Sequence, residues 1–532
     1  MSRKFWREGE PLVWGTAAAL SLTLLIAATL VIVVLVNGLG VFWPAPVARA
    51  TLADGSRVMG EIVRREPVPG SDGERLQFKI GNRDLYGLDF RWIDASAIVS
   101  LDLPRDVLVL ERQEYGNFYG TLVEVSGPAA AGLDGDPAKR LAALRKITER
   151  RQAEIEEVGD ALSDLNGRIV GLTTKRRDLL HDGALPDDPA LQELQAQAEA
   201  LRAVYEKDLS RQEEMFADLQ GYTATVADAS GVEKIVPLSV IVRAYRPNVM
   251  TGAEKVLFYL SKLKELLLGE PRESNTEGGL FPAIFGTVML IFLMSLVTFP
   301  LGVMAAVYLR EYAREGMVVR LVRIAVNNLA GIPSIVYGIF GLAFFVYGIG
   351  ASFDQIFYPE RLPAPTFGTG GILWASLTLA LLTVPVVIVA TEEALGAIPA
   401  GVREGSLALG ATKFQTLTRT LLPMASPGIM TGLILAMARA AGEVAPLMIT
   451  GVVKLAPALP LDGQFPFLHL DRKFMHLGFH IYDIAFQSPN AEAARPMVFV
   501  TTLLLVLIVL GMSSVAIVLR NRMKKRYTYG TF

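Results

Sequence analysis

The sequence predicts an all-α polytopic membrane protein with six transmembrane helices, interrupted by an inserted extracytoplasmic α+β domain that carries an antiparallel coiled-coil hairpin. Three observations predict it. Six stretches are apolar and long enough to cross a bilayer, which takes roughly 20 residues of helix. The chain is 52% hydrophobic with a mean hydropathy of +0.38, yet 20% charged, a mixture that calls for segregation along the sequence. Between the first and second apolar stretches lies a long polar segment in which short β-rich runs flank one stretch of helical period.

The expected spans are Leu12–Val36, Leu280–Leu309, Ile324–Ile349, Gly371–Thr391, Gly428–Gly451 and Pro496–Leu519. The first is too long and too uniformly apolar for a secretory signal and reads as an uncleaved anchor. Orientation follows from the Lys/Arg bias. One set of segments carries Arg3, Lys4 and Arg7, then Arg310, Arg314, Arg320 and Arg323, then Arg403, Lys413 and Arg419, and finally Arg520, Arg522, Lys524, Lys525 and Arg526. The opposite short loops hold Arg361, Lys454, Arg472, Lys473 and Arg495. The expectation is a multi-pass membrane protein with both termini cytoplasmic and the insertion outside the cytoplasm. The domains expected are 1–43 (N-terminus and first span), 44–275 (insertion), 276–526 (five further spans) and a tail at 527–532.

Within the insertion, residues 48–127 read as β-rich, with runs at Arg57–Val63, Leu76–Ile80, Ala97–Leu101 and Val107–Leu110 and turns at Asp54-Gly55 and Gly81-Asn82. Residues 137–220 read as a helical hairpin. Leu141, Leu144, Ile155, Val158, Leu162, Leu165, Ile169, Leu172 and Leu179 fall on steps of three and four, and Leu191, Leu194, Ala198, Leu201, Tyr205, Met215 and Leu219 follow after the breaker His181–Pro189. Residues 221–248 return as strands, and 254–268 form an amphipathic segment suited to a membrane surface.

Several chemistries are excluded. With no cysteine there is no disulfide, thiolate nucleophile or cysteine metal site. The net charge of −2 argues against nucleic acid as partner. No Gly-Lys dipeptide occurs, so there is no P-loop, and no H-E-x-x-H pair is present. His469, His476 and His480 share one loop, read as solvated rather than metal-binding, and neither a cofactor nor a metal is expected.

Two places carry function. The stretch Glu404-Gly-Ser-Leu-Ala-Leu-Gly-Ala-Thr-Lys413, followed by Leu422-Pro423, predicts a short surface helix with Glu404 near its start and a break at Gly410. Its small-residue face of Gly405, Ser406 and Ala408 suits a docked partner. The second place is the fifth span, where Arg439 and Glu443 sit near the middle and, four apart on a helix, share one face. A charge at the bilayer centre costs about 2.5–3.5 kcal/mol even on a lenient scale. Two readings stay open: an ion pair that fixes packing, or an anion pathway with Arg439 as its cation. The third span places Asn327, Asn328, Gly331, Pro333 and Ser334 inside an apolar run. This is either a proline kink or a broken helix offering backbone N–H groups to an anion.

The loop resembles the EAA loop of ABC importer permeases, EAA-x3-G-x9-I-x-LP, with Gly405-Ser406 for Ala-Ala and Thr420 for isoleucine. Asn327–Gly341, Glu404–Gly432 and Arg439–Leu447 together resemble the PstA-type permeases of phosphate-specific ABC importers, with Val444 where threonine is usual. The resemblance covers residues 280–526 and the first span. It implies a type I importer fold, no enzymatic activity in this chain, and a coupling helix at Glu404–Gly410. It implies as partners a second, PstC-like permease, PstB-like ATPases that bind the ATP, and a periplasmic PstS-like phosphate-binding protein. The alternatives are a permease for molybdate or sulfate, or a non-conducting membrane-anchored scaffold or sensor.

Overall fold

The computed structural model describes residues 10–68, 70, 73–128, 137–463, 467–488 and 490–527. Arg3, Lys4 and Arg7 and the tail at 528–532 lie outside the described residues. The chain divides into two compact units. One holds the first span, Glu265–Pro271 and everything from Asn275 onward; the other holds Phe42–Lys264 and Arg272–Ser274.

In the first unit, six helices are long and apolar enough to span: Leu12–Gly40, Phe281–Tyr312, Ser334–Phe357, Ile372–Gly396, Lys413–Ala441 and Ala491–Lys525. The fourth is the hub, packed against the second and the fifth, while the sixth joins the fifth to the first. Close approach depends on missing side chains. A Cβ on Gly302 would stand 2.7 Å from Val387 Cγ1, and one on Gly428 or Gly432 would strike Ala394 or Ala390 at 2.5 and 2.6 Å. Small residues at helix crossings supply dispersion contact where lipid removes any hydrophobic drive between helices. Three of the hub's buried hydroxyls bond back to their own helix: Ser376 donates to the Ile372 carbonyl at 2.7 Å, Thr378 to that of Trp374 at 2.7 Å and Thr383 to that of Leu379 at 2.8 Å. The first span touches little besides the sixth, near Gly38, and leaves its apolar surface exposed, as a lipid-facing helix does.

Two spans differ from expectation. Residues 324–349 are not one helix. An amphipathic helix, Met317–Leu329, ends in a turn, and the span begins afresh at Ser334. Pro333 is the cause: it has no N–H to continue the ladder and disfavours helical backbone at Ile332. Pro333 itself is extended and precedes the new helix as its N-cap. The fifth span starts at Lys413 rather than Gly428 and stops at Ala441. A separate short helix, Ala445–Thr450, follows with Pro446 in its first turn.

The second unit contains a duplication. The first sheet, from β1 (Val47–Leu52), β2 (Arg57–Pro67), β3 (Glu74–Lys79), β4 (Phe90–Asp94) and β5 (Ile98–Asp102), has the order β4-β3-β2-β1-β5. The second, from β6 (Leu108–Arg112), β7 (Phe118–Ser126), β8 (Thr223–Ala227), β9 (Glu233–Pro237) and β10 (Ile241–Tyr245), has the equivalent order β9-β8-β7-β6-β10. Registers match residue for residue. Ala48 opposite Gly60 recurs as Leu108 opposite Gly120, and the bulge between Ile62 and Arg64 recurs between Leu122 and Glu124. Both sheets bulge in their last strand, and both have a 3₁₀ turn before it, at Ala95–Ala97 and Leu238–Val240. Gly60 and Gly120 are required for one reason: a Cβ would lie 2.2 Å from the Lys79 carbonyl oxygen or 2.4 Å from that of Ala227. Six core positions correspond: Ala48, Ala50, Val58, Leu76, Phe78 and Ile93 in the first sheet; Leu108, Leu110, Phe118, Ala224, Val226 and Val236 in the second. Three enlarge between the copies, and Leu76, Phe78 and Ile93 shrink to Ala224, Val226 and Val236, so core volume is redistributed rather than added.

The hairpin lies between β7 and β8. Its helices are Pro137–His181 and Pro189–Gln220, the second opened by Asp188, whose carboxylate accepts from Ala190 N. They run antiparallel, since Gln212 donates to the Ile155 carbonyl and Arg151 pairs with Asp218. Ile155, Leu162, Ile169 and Ala198 are buried in the seam, while Leu179 is 36% exposed. The base is different in kind: Leu141 and Leu144 are buried in the core of the second sheet. The shorter helix alone gives an arm of roughly 48 Å.

Candidate functional site

The elbow between the fourth and fifth spans is built from short-range rules. Pro399, extended, caps a helix over Ala400–Ala408. The helix ends on Gly410 at φ 86°, with Gly410 N bonded to the Leu407 carbonyl and Ala411 N to that of Ser406. This paired closure needs a left-handed residue, hence glycine. Thr412 opens the next helix by a reciprocal box: its hydroxyl accepts from Gln415 N at 3.2 Å, and Gln415 Oε1 accepts from Thr412 N at 2.9 Å. A π turn over Leu417–Leu421 precedes Leu422-Pro423, where the proline withholds one ladder donor. Leu422 and Pro423 are half-buried in the helix that leads into the fifth span.

The elbow is fastened from beneath. Arg403 donates to Glu311 at 2.9 Å and to the Leu395 carbonyl at 2.7 Å, tying it to the ends of the second and fourth spans. The hydroxyls of Ser406 and Thr416 meet at 2.9 Å across the bend. Outward, the surface is apolar: Leu409 is 91% and Phe414 66% exposed, beside Leu407 and Ala408. Gly405 is open, with nothing within 4 Å of a built Cβ. The sequence expectation placed Glu404 near the helix start and Ser406 on the outer face. The structure puts Glu404 mid-helix and exposed, because the helix starts at Ala400, and turns Ser406 inward because Thr416 offers it a partner. Sequence reasoning gave neither Leu409 nor Phe414 a docking role, although the T-x-x-Q box beside them was legible.

The second constellation lies where the third and fifth spans break. Arg439 occupies the last turn of its helix rather than mid-span, and Glu443 lies just past the end. They still pair, Nε to Oε1 at 3.6 Å, with side chains 33% and 18% exposed. The turn, not a continuous helix, brings them together: Gly442 N and Glu443 N bond to the carbonyls of Arg439 and Ala440. Facing this break, the Tyr337 hydroxyl donates to the Leu329 carbonyl at 2.7 Å, bridging the gap that Pro333 opened. Gly338 admits the short helix that follows the pair, since a Cβ there would lie 2.7 Å from Pro446 Cα. Tyr337, Ala440, Ala441 and Leu447 share one buried cluster. Asn327 and Asn328 are exposed on the preceding amphipathic helix and Ser334 is half-buried at the head of the span. The third span's break is thus bridged by a tyrosine that sequence reasoning passed over, rather than by the asparagine amides.

The loop after the fifth span corrects another expectation. His476 and His480 are 1% and 2% exposed, not solvated. Their short helix, Leu477–Tyr482, is pinned to the second span by Leu477 N donating to Thr287 Oγ1 at 2.9 Å. Asp483 continues the same buried face and pairs with Lys454 at 3.1 Å. His469 instead pairs with Asp462 at 2.9 Å. Among the described residues no group of three or more His, Asp or Glu could hold a metal.

Residues 298–525 match the family described as binding-protein-dependent transport system inner membrane component. A probable ABC transporter permease protein, YqgI, of Bacillus subtilis is 33% identical over 223 residues, 41% of this chain and 70% of that one. The probable phosphate transport system permease protein PstA of Methanocaldococcus jannaschii is 34% identical over 41% of this chain and 67% of its own. The phosphate transport system permease protein PstA of Yersinia pestis is 36% identical over 42% and 66%. The chain thus spans about two thirds of these relatives.

Proposed function

The chain belongs to the binding-protein-dependent transport system inner membrane components, and on that premise we propose that it is the PstA-type permease subunit of an ABC importer for inorganic phosphate. The observation that carries this is the elbow: a rigid bend fastened by Arg403 and the Ser406–Thr416 contact that turns Leu409, Phe414 and Gly405 outward. Among the described residues nothing covers that apolar surface, and a separate ATPase subunit is the partner it fits. Nucleotide binds to that subunit; this chain passes the stroke from Gly405–Gly410 through Leu422-Pro423 into the fifth span.

In the proposed path, Arg439 attracts the anion at the joint between the broken third and fifth spans. Glu443 holds the guanidinium in place, and Asn327, Asn328 and Ser334 line the approach. The elbow faces the cytoplasm with both termini, and the insertion faces the periplasm, in keeping with the basic residues around the elbow. The complex would hold a PstC-like second permease, PstB-like ATPases and a PstS-like binding protein. Uptake of labelled phosphate into proteoliposomes containing this chain and these three partners tests the reading. Uptake should require ATP and resist excess unlabelled sulfate or molybdate; competition by either at equal concentration would overturn the phosphate assignment.

A further inference from the structure

The duplicated sheets differ in what covers them. On the second, the base of the hairpin's first helix lies across β7 and the start of β10. Leu141 and Leu144 enter a core that includes Leu122, Val125 and Ala244. Arg145 donates to the Val242 carbonyl at 3.0 Å and Gln152 to that of Ser239 at 3.1 Å. The matched registers carry this seat onto the first sheet at Ile62, Arg65, Leu101, Val99 and Ser96. There the structure has a groove of about 560 Å³ lined by Ile62, Val63, Arg64, Arg65, Leu101 and Leu103. Val63, Leu101 and Leu103 are 46%, 46% and 58% exposed.

We infer that this groove is a docking site for an amphipathic α-helix of another protein, seated as the chain seats its own helix on the second sheet. The charges define the occupant. Val125, buried in the second sheet's seat, corresponds to Arg65, so a positive charge stands there where there was none, and Arg64, in the place of Glu124, also lines the groove. The chain's own helix is basic at its base, with Lys139, Arg140, Arg145 and Lys146, and a second copy of it would meet Arg64 and Arg65 with like charge. The groove therefore calls for an acidic helix with two large apolar residues three apart, as Leu141 and Leu144 are, flanked by Asp or Glu.

The probe is a peptide of residues 137–156 carrying Lys139→Glu, Arg140→Glu, Arg145→Glu and Lys146→Glu, titrated onto the full-length protein in detergent micelles. It should bind saturably, and about tenfold or more tighter than the unaltered peptide. Arg64→Glu with Arg65→Glu, and separately Leu101→Asp, should each weaken binding by about tenfold or more. Arg65 and Leu101 are exposed, so an unchanged far-UV circular dichroism spectrum accompanies these losses. Absence of binding, or binding indifferent to the Arg64/Arg65 variant, which would put the peptide on the second sheet instead, overturns the proposal. Tighter binding of the unaltered peptide assigns the groove to a second copy's hairpin and overturns the acidic occupant.

Discussion

In the unit of spans, helices meet where side chains are missing: Gly302, Gly428 and Gly432 let backbones close on Val387, Ala394 and Ala390. In the inserted unit, two sheets hold one register with different cores, Ala50 and Phe78 in one against Leu110 and Val226 in the other. The first tolerates almost no substitution at its crossings; the second holds six exchanges of size or shape at matched positions. Chemistry divides the same way. The exposed elbow and the Arg439–Glu443 pair lie in the unit of spans, and the inserted unit offers surfaces for seating helices. The difference teaches that transport should depend on point features of the first unit and survive large changes in the second.

The largest effect is expected at the elbow. Leu409→Asp with Phe414→Asp alters side chains that are 91% and 66% exposed, so the spans should fold normally. Co-purification of the ATPase should fall by about tenfold or more, the equivalent of roughly 1.4 kcal/mol or above, and ATP-driven uptake should be lost. Gly410→Leu should also abolish uptake, by straining a left-handed residue and moving the surface rather than by a clash, since a Cβ there has open space. A variant that retains the ATPase and transports fully would erase the contrast at its strongest point.

The ion pair comes next. Removing one partner of a fully buried pair costs about 3–5 kcal/mol. This pair is 3.6 Å apart and part-exposed, so Arg439→Ala and Glu443→Ala should each cost less than that in assembly. The double variant should assemble better than either single one yet transport about tenfold or more slowly. Normal uptake by the double variant would make the pair a packing device only.

Much of the first unit was legible. Six apolar stretches, the glycine at 410 and Leu422-Pro423 each express a local rule. What was not legible is non-local. Pro333 was left open between a kink and a broken helix because whether a helix bends or restarts depends on contacts such as Tyr337 reaching the Leu329 carbonyl. Arg439 was placed mid-span because prolines such as Pro300 and Pro385 lie inside continuous helices here, whereas the helix before Pro446 stops at Ala441. The duplication was hidden because Val58-Met-Gly-Glu-Ile-Val63 and Phe118-Tyr-Gly-Thr-Leu-Val123 share only a glycine and a valine, while exchanges elsewhere balance their volumes. The histidines were read as solvated because nothing local reveals that Thr287 pins their helix.

Acid should act on stability rather than on transport. Burial lowers His476 and His480 to about 4 from 6.5, with Lys454 adding to the effect at His480. As pH falls through 6.5 the unfolded chain takes up protons that the folded chain refuses until about 4, so this contribution is complete above 6.5 and is lost between 6.5 and 4. The loss approaches ~3 kcal/mol per histidine at the acid end. The thermal midpoint of the purified protein should fall across that window, and His480→Gln should flatten the fall. An identical slope in the variant would show that His480 is not responsible.

The smallest effect is the most direct measurement of the central claim, that transport resides in the unit of spans. The cut must respect the sheet: removing all of 137–220 would strip Leu141 and Leu144 from its core, whereas removing 156–211 joins Ile155 to Gln212, which already touch. ATP-driven phosphate uptake is then measured in proteoliposomes holding the assembled complex with or without the arm. The account predicts rates within about twofold of each other, a difference of only ~0.4 kcal/mol. An assembled complex that lacks the arm, retains its ATPase and transports nothing would contradict it.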